Sequence, residues 1–389
     1  MRRPLIITIG IVIILLVLGM WAYLLVFGTP KQPREVFANL GFLSAHTQGG
    51  TVPASPSSAD ASTTPVSGEA LQQVTTKAVA GYAFVDGHTV RYVERGTGYI
   101  YQVDLTSKTE VELSHTTIPQ ASEALFSASA DRVIVTSYDG YGTKSVAADL
   151  TGQTDQELTL KALPAEAGDI AFKDQNTIYF TISTDKTTTG YTYDLRTLAQ
   201  KKAFTMNAGD LRAVWGNGLR SIYMVTKPAV GYPGYAYTVS QEGIVTPVSS
   251  ERNGLTAFMN NAYVVTTFAS SSRYVSEAVQ DFHVFPQAAA MIPQKCAFAS
   301  TTGPILWCGG ETAQLNQNFL EDWYKGKVIS HDDLWHIDLT SGKAVRLIDL
   351  SAAAGRVIDV YGLSADAQDT ALIFENKIDG TLWVYRLPQ

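Results

Sequence analysis

Gly98-Tyr-Ile-Tyr-Gln-Val-Asp-Leu105 is the stretch from which the rest of the chain can be read. Its skeleton is a bulky residue, a second bulky residue two places on, and an aliphatic residue two beyond that. The pattern returns at Tyr191, Tyr193, Leu195; at Tyr235, Tyr237, Val239; at Trp335, Ile337, Leu339; and at Trp383, Tyr385, Leu387. Weaker copies lie at Val146, Ala148, Leu150 and at Tyr274, Ser276, Ala278. Apart from one short gap and one long one, successive copies are about 45 residues apart, the period of a propeller blade. Alternation at every second residue is that of a half-buried strand, so the expected class is all-β.

Each repeat divides into four short apolar-alternating runs separated by turn residues, as a four-stranded blade requires. In the third unit Asp169-Ile-Ala-Phe reads as the inner strand A and Thr177-Ile-Tyr-Phe-Thr-Ile as B. Tyr191-Thr-Tyr-Asp-Leu follows as C and Lys202-Ala-Phe-Thr as the outer strand D. Comparable quartets start near Ala80, Glu123, Leu211, Leu255, Lys295 and Ile358, which makes seven units. The last unit ends after its strand C, while Leu71–Thr76 precedes the first strand A with no blade of its own. That segment is expected to complete the seventh blade and pair its open edge, so that 70–389 forms one closed ring. Tandem immunoglobulin-like sandwiches are the rival, with units of about 100 residues and different strand counts.

Ahead of the repeats, Pro4 to Phe27 is apolar and carries no charge. As a helix, about 24 residues at about 1.5 Å each reach about 36 Å, enough to span a bilayer with some tilt. A cleaved signal peptide has a shorter apolar core and small residues at its cleavage site. Here Trp21-Ala-Tyr-Leu-Leu-Val-Phe is bulky, so a retained anchor at 4–27 is expected, with the bilayer as its partner. Arg2 and Arg3 before it and Lys31 and Arg34 after it leave a slight positive-inside bias. Residues 1–3 are assigned to the cytoplasm and the propeller to the extracytoplasmic side of the cytoplasmic membrane. Residues 28–69 form a juxtamembrane stretch and a Ser/Thr/Ala/Pro-rich linker, which has almost nothing to bury and is expected to act as a tether.

Among the 389 residues, only 17% are charged and the net charge is −7, with no basic stripe, which excludes nucleic acid as a partner. Gly-x-Ser-x-Gly, P-loop, dinucleotide and calcium-loop patterns are absent, and no cofactor is expected. The histidines lack metal-ligand spacing. His331-Asp332-Asp333 offers a weak divalent-metal set, and acidic turn residues before a strand explain it better. The adjacent acids Glu321-Asp322 and Asp332-Asp333 read as solvated loops before they read as paired carboxylates. Cys296 and Cys308 flank an expected A–B hairpin turning at Thr301–Pro304, and the residue count sets them opposite each other. Two small buried hydrophobes are one reading; outside the cytoplasm a disulfide is the favoured one.

The strand endings and Leu363-Ser-Ala-Asp-Ala-Gln-Asp-Thr-Ala-Leu-Ile-Phe374 resemble TolB-type and WD-repeat propellers, in which a Ser-Pro-Asp-Gly turn joins strands A and B. Ala365 stands in place of that Pro, and no Gly follows Asp366. Lys295-Cys-Ala-Phe-Ala-Ser, Trp307-Cys308 and Asp322-Trp-Tyr-Lys-Gly-Lys-Val-Ile-Ser-His-Asp-Asp-Leu-Trp-His-Ile-Asp338 resemble a block in single-pass, membrane-anchored propellers of uncultivated bacteria. The resemblance implies binding rather than catalysis: a protein- or glycan-binding or scaffold module, with an unidentified envelope protein or glycan as partner. A propeller glycosidase or lyase is the alternative. Two acids and a base from different blades at the central opening favour the enzyme; an aromatic rim without them favours binding.

Insertions in repeat arrays tend to carry function. The variable connections here are the B–C ones, which share a face with the D–A connections. They are Tyr138–Gly142, Lys227–Gly234 and the long insertion Gly309–Asp332. The candidate binding face therefore carries Tyr138, Asp139, Tyr141, Tyr232, Asp322, Trp323, Tyr324 and Lys325. Trp323 has a second reading, as a cap buried against its own blade.

Overall fold

Consecutive residues such as Tyr92 and Val93, or Val133, Ile134 and Val135, are all buried, so each sheet has two apolar faces, and radial stacking of sheets gives both a partner. The computed structural model describes residues 70–388, apart from 153–156, 210, 216–220, 241–242, 249–250, 261, 272, 281–282, 288, 300–303 and 312–314. The expected anchor at 4–27 and the linker at 28–69 lie outside the described residues. Among the described residues no helix is long and apolar enough to cross a membrane.

Seven four-stranded antiparallel sheets follow one another along the chain. Blade 1 consists of Val79–Phe84, Thr89–Glu94, Ile100–Asp104 and Thr109–Ser114. Blades 2 to 6 begin with the inner strands Ala121–Phe126, Gly168–Phe172, Leu211–Val214, Thr256–Met259 and Cys296–Phe298. Blade 7 takes Val360–Ala365, Ala371–Asn376 and Leu382–Arg386 from the far end of the chain. Its outer strand is Leu71–Gln73, in register Leu71↔Tyr385, Gln72↔Val384 and Gln73↔Trp383. Strand geometry stops short of Thr76 because Val74 and Thr75 both bond the Leu382 carbonyl, which ends the ladder. Each sheet pairs its strands in chain order, apart from this closing strand, so the sandwich alternative is excluded.

The apolar core is a ring of inter-blade layers. Val79, Tyr92, Tyr101 and Leu105 of blade 1 pack on Ile373, Leu382 and Val384 of blade 7. Val93, Ile100 and Leu113 pack on Ala121, Phe126, Val133 and Leu150 of blade 2. The same arrangement continues around the ring, ending where Leu334 of blade 6 meets Leu372, Phe374, Trp383 and Tyr385 of blade 7. Tyr274, Ser276 and Ala278, the least regular copy of the repeat, lie on strand C of blade 5, Arg273–Gln280, and all three are buried.

The repeated Asp-Leu pair at the end of strand C has a local cause. The carboxylates of Asp104, Asp194 and Asp338 accept backbone N–H bonds from the residues two and three ahead, at 2.7–3.1 Å, closing the C–D turn. The leucines that follow, Leu105, Leu195 and Leu339, are then driven into the inter-blade layer. These hydrogen bonds hold all three carboxyls below their ordinary range.

Cys296 and Cys308 face each other in the A–B ladder of blade 6 and are joined by a disulfide. Part of the expected turn between them, 301–303, lies outside the described residues. Between strand B, Ile305–Gly310, and strand C, Asp333–Asp338, the insertion forms a short helix, Phe319–Tyr324.

Candidate functional site

Inner strands converge at the axis of a propeller, so the first residues of each strand A line the mouth on the D–A and B–C face. In four of the seven blades that strand carries a register shift at its start: Val79/Gly81, Ala121/Glu123, Gly168/Ala171 and Tyr361/Ser364. Such bulges bend the strand and re-aim side chains. Gly81 is required here, since a Cβ on it would lie 1.9 Å from the Ala124 carbonyl oxygen of the next blade. Gly362, at φ +67°, brings blade 7 against the Tyr82 hydroxyl, which donates to the Gly362 carbonyl at 2.7 Å.

The result is a cavity of 620 Å³ with a mixed apolar and polar lining, drawn from blades 1, 2, 3, 4 and 7. Glu123, Asp169 and Arg212 enter it from three successive inner strands, Tyr361 from a fourth, and Glu375 from strand B of blade 7. The Asp169 carboxylate accepts from Ala213 N at 2.8 Å and Thr181 Oγ1 at 3.3 Å, and Arg212 Nε stands 3.8 Å from its other oxygen. Asp169 itself adopts φ +43°, a region Asp tolerates better than bulky residues do. Glu375 is almost sealed and accepts from Arg95 Nη2 at 2.9 Å. Burial pushes its carboxyl up to about 7, with the Arg95 guanidinium opposing the shift and Asp379 adding to it. The Tyr361 phenol is pushed up by burial and by the charges of Glu123 and Glu375, against Arg212 and Arg95. Charged groups from four blades thus act on one hydroxyl.

The insertion covers the other side of the mouth. Glu321 Oε2 accepts from Val230 N of blade 4 at 3.1 Å. Leu315 O accepts from Tyr274 N of blade 5 at 3.3 Å, and Lys377 Nζ of blade 7 donates to Trp323 O at 2.8 Å. Tyr324 bonds Gln294 and lies in the field of Arg212; burial raises its phenol to about 12. Beneath the insertion is a sealed charge cluster. Lys295 Nζ donates to Asp332, to Asp359 Oδ1 at 2.6 Å and to Ser330 Oγ at 2.6 Å. Trp323 Nε1 donates to both Asp359 oxygens at 3.0 Å. Asp332 also accepts from Val360 N, yet burial outweighs its partners and raises its carboxyl. With side chains at most 2% exposed, this cluster is a fastening and not a ligand site.

Of the candidate residues, Tyr138, Tyr141 and Tyr232 are exposed, Tyr141 completely. Asp139 pairs with Lys144 at 2.6 Å, Lys325 with Glu321, and Asp322 with Lys327 at 3.3 Å. Trp323 must be withdrawn from the binding residues, because it is 0% exposed. It packs with Tyr274, Ile292, Phe319 and Leu320, and so caps neighbouring blades rather than its own alone. Tyr324 is half-buried in the same cap. Asp332 and Asp333 face Lys295 and Arg346, and the His336 ring packs 4.9 Å from that of Trp307. Among the described residues no three His, Cys, Asp or Glu side chains converge as a metal set would.

The tyrosines expected at the site lie on the B–C connections, further from the axis than the central mouth. Glu123, Asp169, Arg212, Tyr361 and Glu375 were not identified from sequence. The available signal was a charge within the first three residues of three successive inner strands, where small or apolar side chains are expected.

No family model matches the sequence, and no curated protein matches it. Solved structures do resemble it. An oligogalacturonate lyase in complex with manganese superposes with a TM-score of 0.60 at 13% identity, covering 82% of this chain and 93% of that one. The β-propeller domain of the Trilobed protease from Pyrococcus furiosus, described as having an open velcro topology, gives 0.51 at 10% identity over 79% and 95%. TolB from Acinetobacter baumannii gives 0.44 at 13% identity over 69% and 65%. At these identities the first two likenesses speak for the β-propeller fold, whose seven blades the sheets themselves show, and for nothing finer.

Proposed function

We propose that this chain is a membrane-anchored, extracytoplasmic recognition module that binds a component of the cell envelope at the central mouth on its D–A and B–C face. The observation that carries the binding half is the mouth itself: five blades contribute to one 620 Å³ cavity, within the range of about 300–1,000 Å³ usual for ligand pockets. The anchoring half rests on the uncharged apolar run Pro4–Phe27 and the polar linker behind it. Acids and bases from different blades are the arrangement that speaks for an enzyme, and this second reading draws on Glu375 with its carboxyl near 7. Binding is favoured because most of these groups are already engaged. Asp169 is held by Ala213 and Thr181 and Glu375 by Arg95, which leaves Glu123 as the cavity's unengaged carboxylate among the described residues.

The test is affinity capture from envelope extract by the full chain in detergent, with the wild type set against Glu123→Gln and Tyr361→Phe. Capture that both changes abolish, with melting unchanged, supports the reading; capture indifferent to both removes it from the mouth. Conversion of a captured glycan that is lost in Glu375→Gln would favour the enzyme instead.

A further inference from the structure

The ligand class follows from which groups in the mouth lack a partner. Among the described residues, the Glu123 carboxylate and the Tyr361 hydroxyl have no hydrogen-bond partner, and Arg212 is held only loosely, at 3.8 Å from Asp169. Thr143 and Ser364 add hydroxyls to the wall. An unpaired polar group that loses water when a ligand enters costs about 1–3 kcal/mol, so a ligand must satisfy acceptor, donor and phenol together.

Charge narrows the class further. Three acids, Glu123, Asp169 and Glu375, stand against two bases, Arg95 and Arg212, and Glu375 titrates near neutrality. The mouth is therefore close to electroneutral. A phosphate-rich ligand would meet the unpaired Glu123 carboxylate and a single uncommitted guanidinium, Arg212, since Arg95 is already held by Glu375. A polycation would meet Glu123, while the other two acids already have donors. An apolar ligand would strip water from Glu123, Arg212 and Tyr361 without replacing it. A hydroxyl both donates and accepts, so an uncharged polyol matches carboxylate, guanidinium and phenol at once and brings no net charge.

Resting on the recognition reading above, we infer that the mouth takes the end of an uncharged glycan chain, with Glu123, Arg212 and Tyr361 hydrogen-bonding its terminal sugar hydroxyls. An end is required because the insertion closes the side over blades 4 to 7. The chain leaves across blade 2, whose Thr136 and Thr143 line the cavity and flank the loop carrying the fully exposed Tyr141. That ring offers a flat apolar face to the outer sugars.

Calorimetric titration of the full chain in detergent tests this. The neutral probes are cellotetraose, maltotetraose and tetra-N-acetylchitotetraose, with glucose and N-acetylglucosamine as their monomers. Tetragalacturonate and the deacetylated chitosan tetramer supply the anionic and cationic comparisons. A neutral tetrasaccharide should bind more tightly than its monomer and than either charged tetramer. Glu123→Gln and Tyr361→Phe should each weaken it about tenfold or more, as loss of a hydrogen bond to a charged or buried group does. Tyr141→Ser should weaken the tetrasaccharide and leave the monomer unchanged. If Tyr361→Phe fails to fold, Glu123→Gln, whose side chain is exposed and unbonded, decides. No binding of any neutral probe, binding of charged probes alone, or affinity indifferent to the mouth variants overturns the inference. Should an envelope protein still be captured through the mouth while every sugar fails, the recognition reading stands and the glycan assignment falls.

Discussion

Replacing Lys295 by Met removes the cation that pairs directly with two completely buried carboxylates, Asp332 and Asp359. Methionine fills most of the space of the lysine stem, so the loss is chiefly electrostatic. Removing one member of a buried ion pair typically costs about 3–5 kcal/mol, because the remaining charge has neither water nor a counter-ion. For a domain of this size such a loss lowers Tm on the order of 10 °C. Asp359 retains Trp323 Nε1 and Ser330 as donors, and Asp332 retains Val360 N, which places the expected cost toward the lower end. The sign of the pH dependence is set as well. Without Lys295, which opposes the shift, the Asp332 carboxyl lies further above its unfolded value, so the folded state gains from protonating it. The deficit should then be smaller at pH 5 than at pH 8. Urea unfolding followed by tryptophan fluorescence reads both quantities. Adding Asp332→Asn to Lys295→Met should recover part of the loss by removing one uncompensated charge. A deficit under about 1 kcal/mol, or one that does not change with pH, would refute the account of the cluster as the fastening of the insertion.

Four further outcomes are expected. A chain beginning at Ala78 lacks Leu71–Gln73, exposes the Leu382–Arg386 edge and should aggregate or melt without cooperativity, whereas one beginning at Ser67 should fold; equal melting of the two would sink ring closure. Alkylation without reduction should label neither Cys296 nor Cys308, and two labels should appear after reduction; ready labelling of unreduced protein from its native source would contradict the pairing. The C–D turn carboxylates Asp104, Asp194 and Asp338 have depressed values, so their stabilisation is present above the unfolded value of about 3.9 and is lost as pH falls through the lower folded values. Glu375 acts in the opposite direction: its contribution is full below about 4.3 and is lost as pH rises through about 7, so Glu375→Gln should gain on the wild type between pH 6 and 8. Denaturation midpoints across pH, with Asp104→Asn and Asp194→Asn for the acid limb, check both signs.

Strand C and its turn were legible in the sequence because their causes lie within a few residues. Tyr193 and Leu195 alternate into one layer, and Asp194 bonds the N–H groups of Arg196 and Thr197 whatever the rest of the chain does. The closing strand was legible by counting, since a last unit without strand D and a first unit with a spare strand complete each other. Which side chains share the mouth was not legible, because period alone does not say which residues of strand A face the axis. A one-residue slip exchanges the two faces of a strand, and four inner strands carry such a shift. Glu123, Asp169, Arg212, Tyr361 and Glu375 come from far-separated positions and meet because a closed ring brings inner strands to one axis. Trp323 shows the same limit: its sequence neighbours mark an exposed loop, and only the folded chain supplies Asp359 to its indole N–H and Tyr274 and Ile292 to its ring, which turns a contact residue into a buried cap.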